Sequence, residues 1–331
     1  MRILFTGSSS FTGFWFIREL VNRGHDVVAV FQRTADSYSG TRGLRVEQLK
    51  SLCTCIFASP LGSTSFFQLI DRHAQCDLFC HHAADVTNYK SIDFDFLAAL
   101  DNNTKNLRSV LEHLQGRGCQ TILLTGTVFE QDEGQGSDVN AVYPYALSKG
   151  LTYQVFRYYA EKLRMRLGKY VIANPFGPYE ELRFTSYLIQ TWFKNQTPTV
   201  SGPSYVRDNI PVDLMARAYT AFAEQLYAEH LHPNKPKDSD FVYPHLHAFF
   251  RPSFYAENQG DFAKRFAREM TNRLSMPCPL HLLKQTEFPE PRIRINRDAL
   301  HPQDYDWLES AFWDQLAHYY LHTYNSHCKS C

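Results

Sequence analysis

The chain has 331 residues, enough for one large α/β domain or for a core domain carrying a smaller one. Hydrophobic residues make up 44% and charged residues 21%, which excludes a disordered or collagen-like chain. Lys and Arg number 34 and so do Asp and Glu, and a chain without basic excess is a poor match for a dedicated nucleic-acid binder.

In chain order, residues 2–6 (RILFT) read as a buried strand. Over residues 12–23, Phe14, Ile17, Leu20 and Val21 recur at helical spacing. Further strands are predicted at 26–31, 53–58, 77–81, 121–125 and 169–173, with amphipathic helices near 64–73, 94–115 and 146–167. This alternation predicts an α/β chain with a Rossmann-type doubly wound parallel sheet. Past about residue 175 the pattern loosens, with helices at 184–195, 211–228, 260–274 and 304–322 and a surface loop at 232–240. The expected division is a dinucleotide-binding domain at 1–175, a mainly helical substrate-binding region at 176–325 with segments returning to the core, and a flexible tail at 326–331.

No stretch approaches the roughly 18 apolar residues of a membrane span, so no membrane partner is expected. The opening MRILFTG lacks a signal-peptide apolar region. A cytoplasmic location is expected, with the eight cysteines as reduced thiols.

Thr6-Gly7-Ser8-Ser9-Ser10-Phe11-Thr12-Gly13 lies between the first strand and the first helix. Small residues there let the backbone approach a pyrophosphate at the helix N-terminus. Gly7, Ser9, Ser10, Phe11, Thr12 and Gly13 are therefore candidate dinucleotide contacts, although Ser10 stands where a middle glycine is expected. At the end of the second strand, Phe31-Gln32-Arg33-Thr34 offers no acid for the ribose hydroxyls of NAD. Arg33 suits the 2′-phosphate of NADP, so NADP or NAD is expected, with NADP favoured.

Tyr145 and Lys149 stand at i and i+4 on a predicted helix and share one face. A nearby ammonium favours the phenolate and lowers the tyrosine pKa from about 10. Such a phenol can take a proton from a sugar hydroxyl or return one to a ketone. The spacing alone is common; its place after the fifth strand gives it weight. Thr125, ending that strand, can offer a hydroxyl to the same substrate oxygen.

With these residues the chain resembles an extended short-chain dehydrogenase/reductase of the NAD(P)-dependent epimerase/dehydratase family. TGSSSFTG resembles that family's TGxxGFxG turn, and His82-Ala83-Ala84 its strand-four motif, implying that Ala83 and Ala84 lie along the cofactor. Asp101-Asn102-Asn103 resembles its helix-four motif, implying that Asn103 steadies the backbone at the active site. Leu124 to Phe129 resembles its catalytic Ser/Thr segment, and Pro144-Tyr145 through Lys149 its PYxxSK motif. Asn174-Pro175-Phe176-Gly177-Pro178 resembles NxxGP, implying that Asn174 lies near nicotinamide and substrate. Arg207 to Asp213 resembles RDxxxVxD, implying that Arg207 contacts a substrate diphosphate, with Arg292 or Arg294 as further candidates.

The resemblance implies Tyr145 as acid/base, Lys149 holding the nicotinamide ribose, and Thr125 orienting the substrate hydroxyl, with Thr127 as its substitute. It implies hydride transfer at a nucleotide-sugar carbon, usually C4, by a homodimer. Family members that eliminate water carry acids after the catalytic Thr, and this chain has Gly126 and Thr127 there, so a 4,6-dehydratase is disfavoured. Where the family often has an Asp for adenine, Ala58-Ser59 stands instead, which leaves Ser59 or backbone groups for that role. Alternatives are an NADPH-dependent keto-sugar reductase and a non-catalytic dinucleotide sensor. The pairs His230/His232 and His245/His247 could face a metal if they lay on strands, but no partner has diagnostic spacing, and no metal is expected.

Overall fold

Apolar Ile3, Leu4 and Phe5 bury themselves in β1 (Arg2–Thr6), and Gly7 turns the chain out of it into α1 (Phe11–Asn22). The computed structural model describes residues 1–72, 75–136, 140–231 and 247–324. After α1 come β2 (Asp26–Val30), α2 (Gly40–Leu52), β3 (Thr54–Ile56), α3 (Thr64–Arg72) and β4 (Leu78–His81). Next are α4 (Phe96–Thr104), α5 (Leu107–Gly116), β5 (Thr121–Thr127), α6 (Pro144–Leu163) and β6 (Arg166–Ile172). Then follow β7 (Asn174–Phe176), α7 (Phe184–Phe193), β8 (Thr199–Val200), β9 (Val206–Pro211), α8 (Val212–Leu231) and β10 (His247–Phe250). The chain ends with β11 (Pro252–Ser253), β12 (Tyr255–Asn258), α9 (Gln259–Leu274), β13 (His281–Leu282), β14 (Ile293–Arg294), β15 (Asp298–Ala299) and α10 (Glu309–Tyr324).

These residues form two compact units. The first draws on Met1–Glu133, Val139–Ile172 and Ala216–Arg251, the second on Gly134–Asp138, Ala173–Met215 and Pro252–Cys331. In the first, seven strands form one sheet in the order β10-β6-β5-β4-β1-β2-β3, parallel throughout. Parallel strands need crossover connections, and the intervening helices supply them. Leu4, Phe79, Ile122 and Leu124 pack with Leu111 and Phe156 in one core. In another, Phe16 stacks on Tyr219 with ring centroids 4.0 Å apart, and both rings meet Tyr170 edge-on.

The second unit holds a smaller sheet in the order β12-β9-β14, with β7 also paired to β9. Phe176 is at its centre, against Phe262, Phe266, Phe312 and Trp313. Gly177, next to it, has φ +152 and lies so near Val212 that a Cβ would come within 2.6 Å of its Cγ1. Only glycine fits that backbone and that gap.

The doubly wound sheet agrees with the sequence pattern, and three local differences have physical causes. The single helix expected at 94–115 is two helices, because Asn106 adopts a left-handed φ of +51 and donates its Nδ2 to the Gly62 carbonyl at 2.8 Å. Helix α2 has no counterpart among the predicted elements: two glycines dilute its pattern, and its buried face includes Arg45, a residue that reads as polar. Strand β10 forms the seventh, edge position by pairing with β6, a long-range contact that no local period announces. The predicted loop at 232–240, the tail, and the side chains of His230, His232 and His245 lie outside the described residues. His247 is described, 3.0 Å from Glu161 Oε1. Among the described residues no helix is long and apolar enough to cross a membrane.

Phe16 is fully buried and stacked, so Phe16→Ala removes both packing and the aromatic contact. Urea unfolding is expected to show a loss of about 3–5 kcal/mol. A loss below about 1 kcal/mol would mean that this core does not depend on the Phe16–Tyr219 stack.

Candidate functional site

The turn after β1 is built from close backbone contacts. Gly7 has φ +81, and a Cβ on it would lie 2.6 Å from the Ala83 nitrogen, so the turn rests directly on the chain leaving β4. Ser8 turns inward and donates to the carbonyls of Phe5 and Val30. The Ser9 carbonyl accepts from Nε and Nη2 of buried Arg45 at 3.1 and 2.9 Å. Ser10 is the N-cap of α1 with φ −70, a conformation open to any residue, which explains why no glycine is needed there. Its hydroxyl donates to the Gly7 carbonyl at 2.9 Å and accepts from the Gly13 N–H at 3.0 Å.

These small residues test well against a dinucleotide. Gly7, Gly13, Ala83 and Ala84 leave little side chain at the N-terminus of α1, and no acid stands in its first turn. Phe11 and Thr12 are buried in that first turn. Arg33 is exposed just past β2, and its N–H donates to the Tyr38 hydroxyl at 3.2 Å. Ser59 is less suited to adenine: it is buried, its N–H donates to Phe31 O and its hydroxyl to Phe57 O.

Helix α6 starts with Pro144 at its first position, and its first two turns carry Tyr145 and Lys149. Tyr145 is half-buried, edge-on to Tyr89 at 5.6 Å and to Phe94 at 5.9 Å. Lys149 is 4% exposed. Burial pushes its ammonium down to about 8; Glu130 opposes that shift and Lys169 adds to it. Asn103 donates to Thr152 Oγ1 at 3.2 Å, and Thr152 donates to Ser148 O, which ties α4 to α6 beside this pair.

At the end of β5, Thr125 is buried, its Oγ1 2.9 Å from His82 Nδ1. Thr127 is half-buried, and its N–H donates to Glu130 Oε1 at 2.7 Å. Glu130 also pairs with Lys169 at 2.6 Å, Lys169 with Glu133 at 2.9 Å, and Glu133 with Arg251 at 2.5 Å. Burial alone would push Lys169 down, but the two carboxylates hold it above the ordinary lysine value. This network fills the space over Gly126, where a Cβ would lie 2.6 Å from Lys169 Cε and 3.0 Å from Glu130 Oε1.

The first unit thus holds Tyr145, Lys149, Thr125, Thr127, the turn residues, Arg33, Ala83, Ala84 and Asn103. Asn174, Arg207 and Arg292 belong to the second. There Asn174 is half-buried in β7 and pairs in register with Asn209. Arg207 is buried: its Nη1 donates to the carbonyls of Val206, Pro291 and Arg292, and its Nη2 to Glu290. As placed, it pins the 290–292 segment. Arg292 is exposed, its guanidinium 5.5 Å above the Phe288 ring, while Arg294 is buried.

Sequence reasoning missed Arg45, His82, Glu130, Glu133 and Lys169 as parts of this region, and named Arg251 only as a plausible substrate contact. His82 was visible only as the residue before two alanines. The others carry no spacing signal, because tertiary contacts bring them together. Among the described residues no group of His, Cys, Asp and Glu could hold a metal ion.

A parallel, doubly wound sheet with a glycine turn ahead of its first helix defines a Rossmann-like protein. The sequence model of the NAD dependent epimerase/dehydratase family matches residues 3–232, and the chain belongs to that family. No curated protein sequence matches it. Among solved structures it is similar to a UDP-glucuronic acid 4-epimerase from Bacillus cereus in complex with UDP-glucuronic acid and NAD. Identity is 16%, TM-score 0.69, and coverage 98% of this chain and 100% of that one. A UDP-glucose 4-epimerase from Thermotoga maritima with UDP-glucose is 16% identical, with TM-score 0.67 and coverage of 98% and 99%. A dTDP-glucose 4,6-dehydratase from Streptomyces venezuelae with NAD bound is 15% identical, with TM-score 0.67 and coverage of 98% of both chains. At such identities the likeness shows the fold.

Lys149 gives a pH-dependent test. Its folded value of about 8 lies below the ordinary 10.5, so the folded state binds fewer protons between those values. Its burial therefore costs stability in full below pH 8, and the cost fades as pH rises toward 10.5. Lys149→Met is expected to be more stable than wild type at pH 7 by about 1–3 kcal/mol, the gain shrinking above pH ~9. Denaturant melts of both proteins across pH 6 to 10.5 check this; a variant less stable at pH 7 would contradict it.

Proposed function

We propose that the protein is a nucleotide-sugar epimerase that acts at a sugar carbon, C4, with NAD as its resident dinucleotide. The observation that supports it best is the pair on α6: Tyr145, and four residues on a buried Lys149 whose pKa near 8 keeps it largely charged at neutral pH. In this reading Tyr145 takes the proton of the sugar hydroxyl and returns it after the keto sugar has turned over. The Lys149 charge makes the phenolate accessible for that transfer. Thr125, with Thr127 as its substitute, orients the substrate oxygen.

The bound nicotinamide supplies the hydride acceptor and donor. The turn from Gly7 to Gly13 would hold its diphosphate, with Ala83 and Ala84 alongside, and Lys149 its ribose. Asn103 steadies α6, and Asn174 would lie near substrate and nicotinamide. Of the arginines considered for the substrate diphosphate, Arg292 is exposed, whereas Arg207 is occupied by carbonyls and Glu290.

An eliminating mechanism is disfavoured, because Gly126 and Thr127 stand after Thr125 where family members that eliminate water carry acids. The preference for NADP expected from Arg33 finds no support among the neighbours, since the B. cereus and S. venezuelae enzymes were seen with NAD. Arg33 still favours a second reading, an NADPH-dependent keto-sugar reductase, because it stands exposed past β2. Association as a homodimer is also proposed, supported by exposed Leu97 on α4 and Tyr158 on α6.

Denaturing the purified protein and identifying the released dinucleotide by mass and absorbance separates these readings. Near-stoichiometric NAD is expected. An empty protein that binds NADPH more tightly than NADH would replace the epimerase with the reductase. Failure to bind any dinucleotide would overturn both.

A further inference from the structure

The ring of His82 touches both the turn after β1 and the end of β5. Its Nε2 lies 3.0 Å from Ser10 Oγ and 3.0 Å from Thr12 Oγ1, and its Nδ1 lies 2.9 Å from Thr125 Oγ1. Phe5 and Phe16 flank the ring at centroid distances of 5.7 and 5.4 Å and restrict how it can turn.

The Ser10 proton points to one tautomer. Ser10 has one hydroxyl proton, and it is directed to the Gly7 carbonyl. Toward His82 the Ser10 oxygen can therefore only accept. With Ser10 accepting, the ring carries its proton on Nε2, Nδ1 accepts, and Thr125 donates to it. The ring is neutral, because burial, aided by Lys149, pushes its pKa down to about 3.

We propose that His82 is a positioning residue that joins the dinucleotide turn to the catalytic hydroxyl in one hydrogen-bonded unit. Nε2–H holds Ser10 and Thr12, and Nδ1 takes the Thr125 proton. Thr125 then presents only oxygen lone pairs to a substrate: it can receive the hydrogen bond of a sugar hydroxyl only until that one proton passes to Tyr145, and the proton for a ketone must come from Tyr145. This assignment rests on the reading of Thr125 and the turn as parts of the active site, and it deepens that reading.

Two substitutions separate the halves of the ring. Glutamine places an amide near the Nε2 position, and asparagine places one near the Nδ1 position. His82→Gln is expected to retain affinity for NADH, followed by its fluorescence, while kcat falls. His82→Asn is expected to weaken NADH binding more than kcat at saturating dinucleotide. Each loss should be about tenfold, the size of one buried hydrogen bond. A merely structural histidine would lower both quantities together in both variants, and that result would overturn the proposal.

Nitrogen NMR of wild-type protein labelled at histidine, with His82 assigned by its loss in the Gln variant, reads the tautomer without relying on activity or on the variants' kinetics. An Nε2-protonated ring is expected; an Nδ1-protonated or doubly protonated ring at pH 7 would overturn the proposal. Wild-type protein that binds no NADH would instead sink the dinucleotide reading of the turn, while the tautomer measurement still decides the hydrogen-bond assignment.

Discussion

Buried charge at one end of the parallel sheet is the constraint on which the site depends. An ammonium at Lys149 is costly where water is excluded, and the protein offsets that cost only in part. Burial and Lys169 oppose the charge and Glu130 favours it, which leaves the residue with a pKa of about 8 and largely charged at neutral pH. Tuning of this kind needs a fixed Glu130. Its position is set by the Thr127 N–H and by Lys169, which is itself shared with Glu133 and, through Glu133, with Arg251. Breaking such a pair strands a charge and costs about 3–5 kcal/mol, so the network behaves as a unit. The same network closes the space over Gly126, which links the electrostatics of α6 to the absence of an acid after Thr125.

The polar cluster around His82 is a second consequence of how tightly the strand ends meet. Gly7 lies against the Ala83 backbone, so the residue before Ala83 is brought onto the turn as well. With Ser10 and Thr12 in the turn and Thr125 on β5, one histidine ring there meets all three hydroxyls. Ser10 in place of a glycine is then consistent with the motif: its backbone needs no glycine, and its hydroxyl caps α1 and meets His82.

How much was legible in the sequence follows from which interactions are local. The strands of the sheet up to β6, helices α1, α3 and α6, and the Tyr145–Lys149 spacing all follow from short-range periodicity, and the structure contains each of them. Asn106 broke an expected single helix because its left-handed turn depends on Gly62, far away in the chain. Helix α2 escaped because it buries Arg45, whose role is to hold the Ser9 carbonyl. The charge network was illegible for a like reason: Glu130, Lys169 and Arg251 are far apart in the chain, and only the assembled fold makes them neighbours. Arg207 shows the converse limit. Its motif suggests a ligand contact, and the carbonyls and Glu290 that surround it become visible only in the fold.

The central claim is that the Tyr145 phenol moves the proton while Lys149 holds it ready to do so. The most direct measurement mixes NAD-loaded wild-type and Tyr145→Phe protein with UDP-glucose and with UDP-glucuronic acid, and follows absorbance at 340 nm in a single turnover. The account predicts a transient in the wild type that slows by about 100-fold or more in the variant, with sugar binding retained. Equal rates in the two proteins would contradict it, and the acid/base role would have to pass to another group.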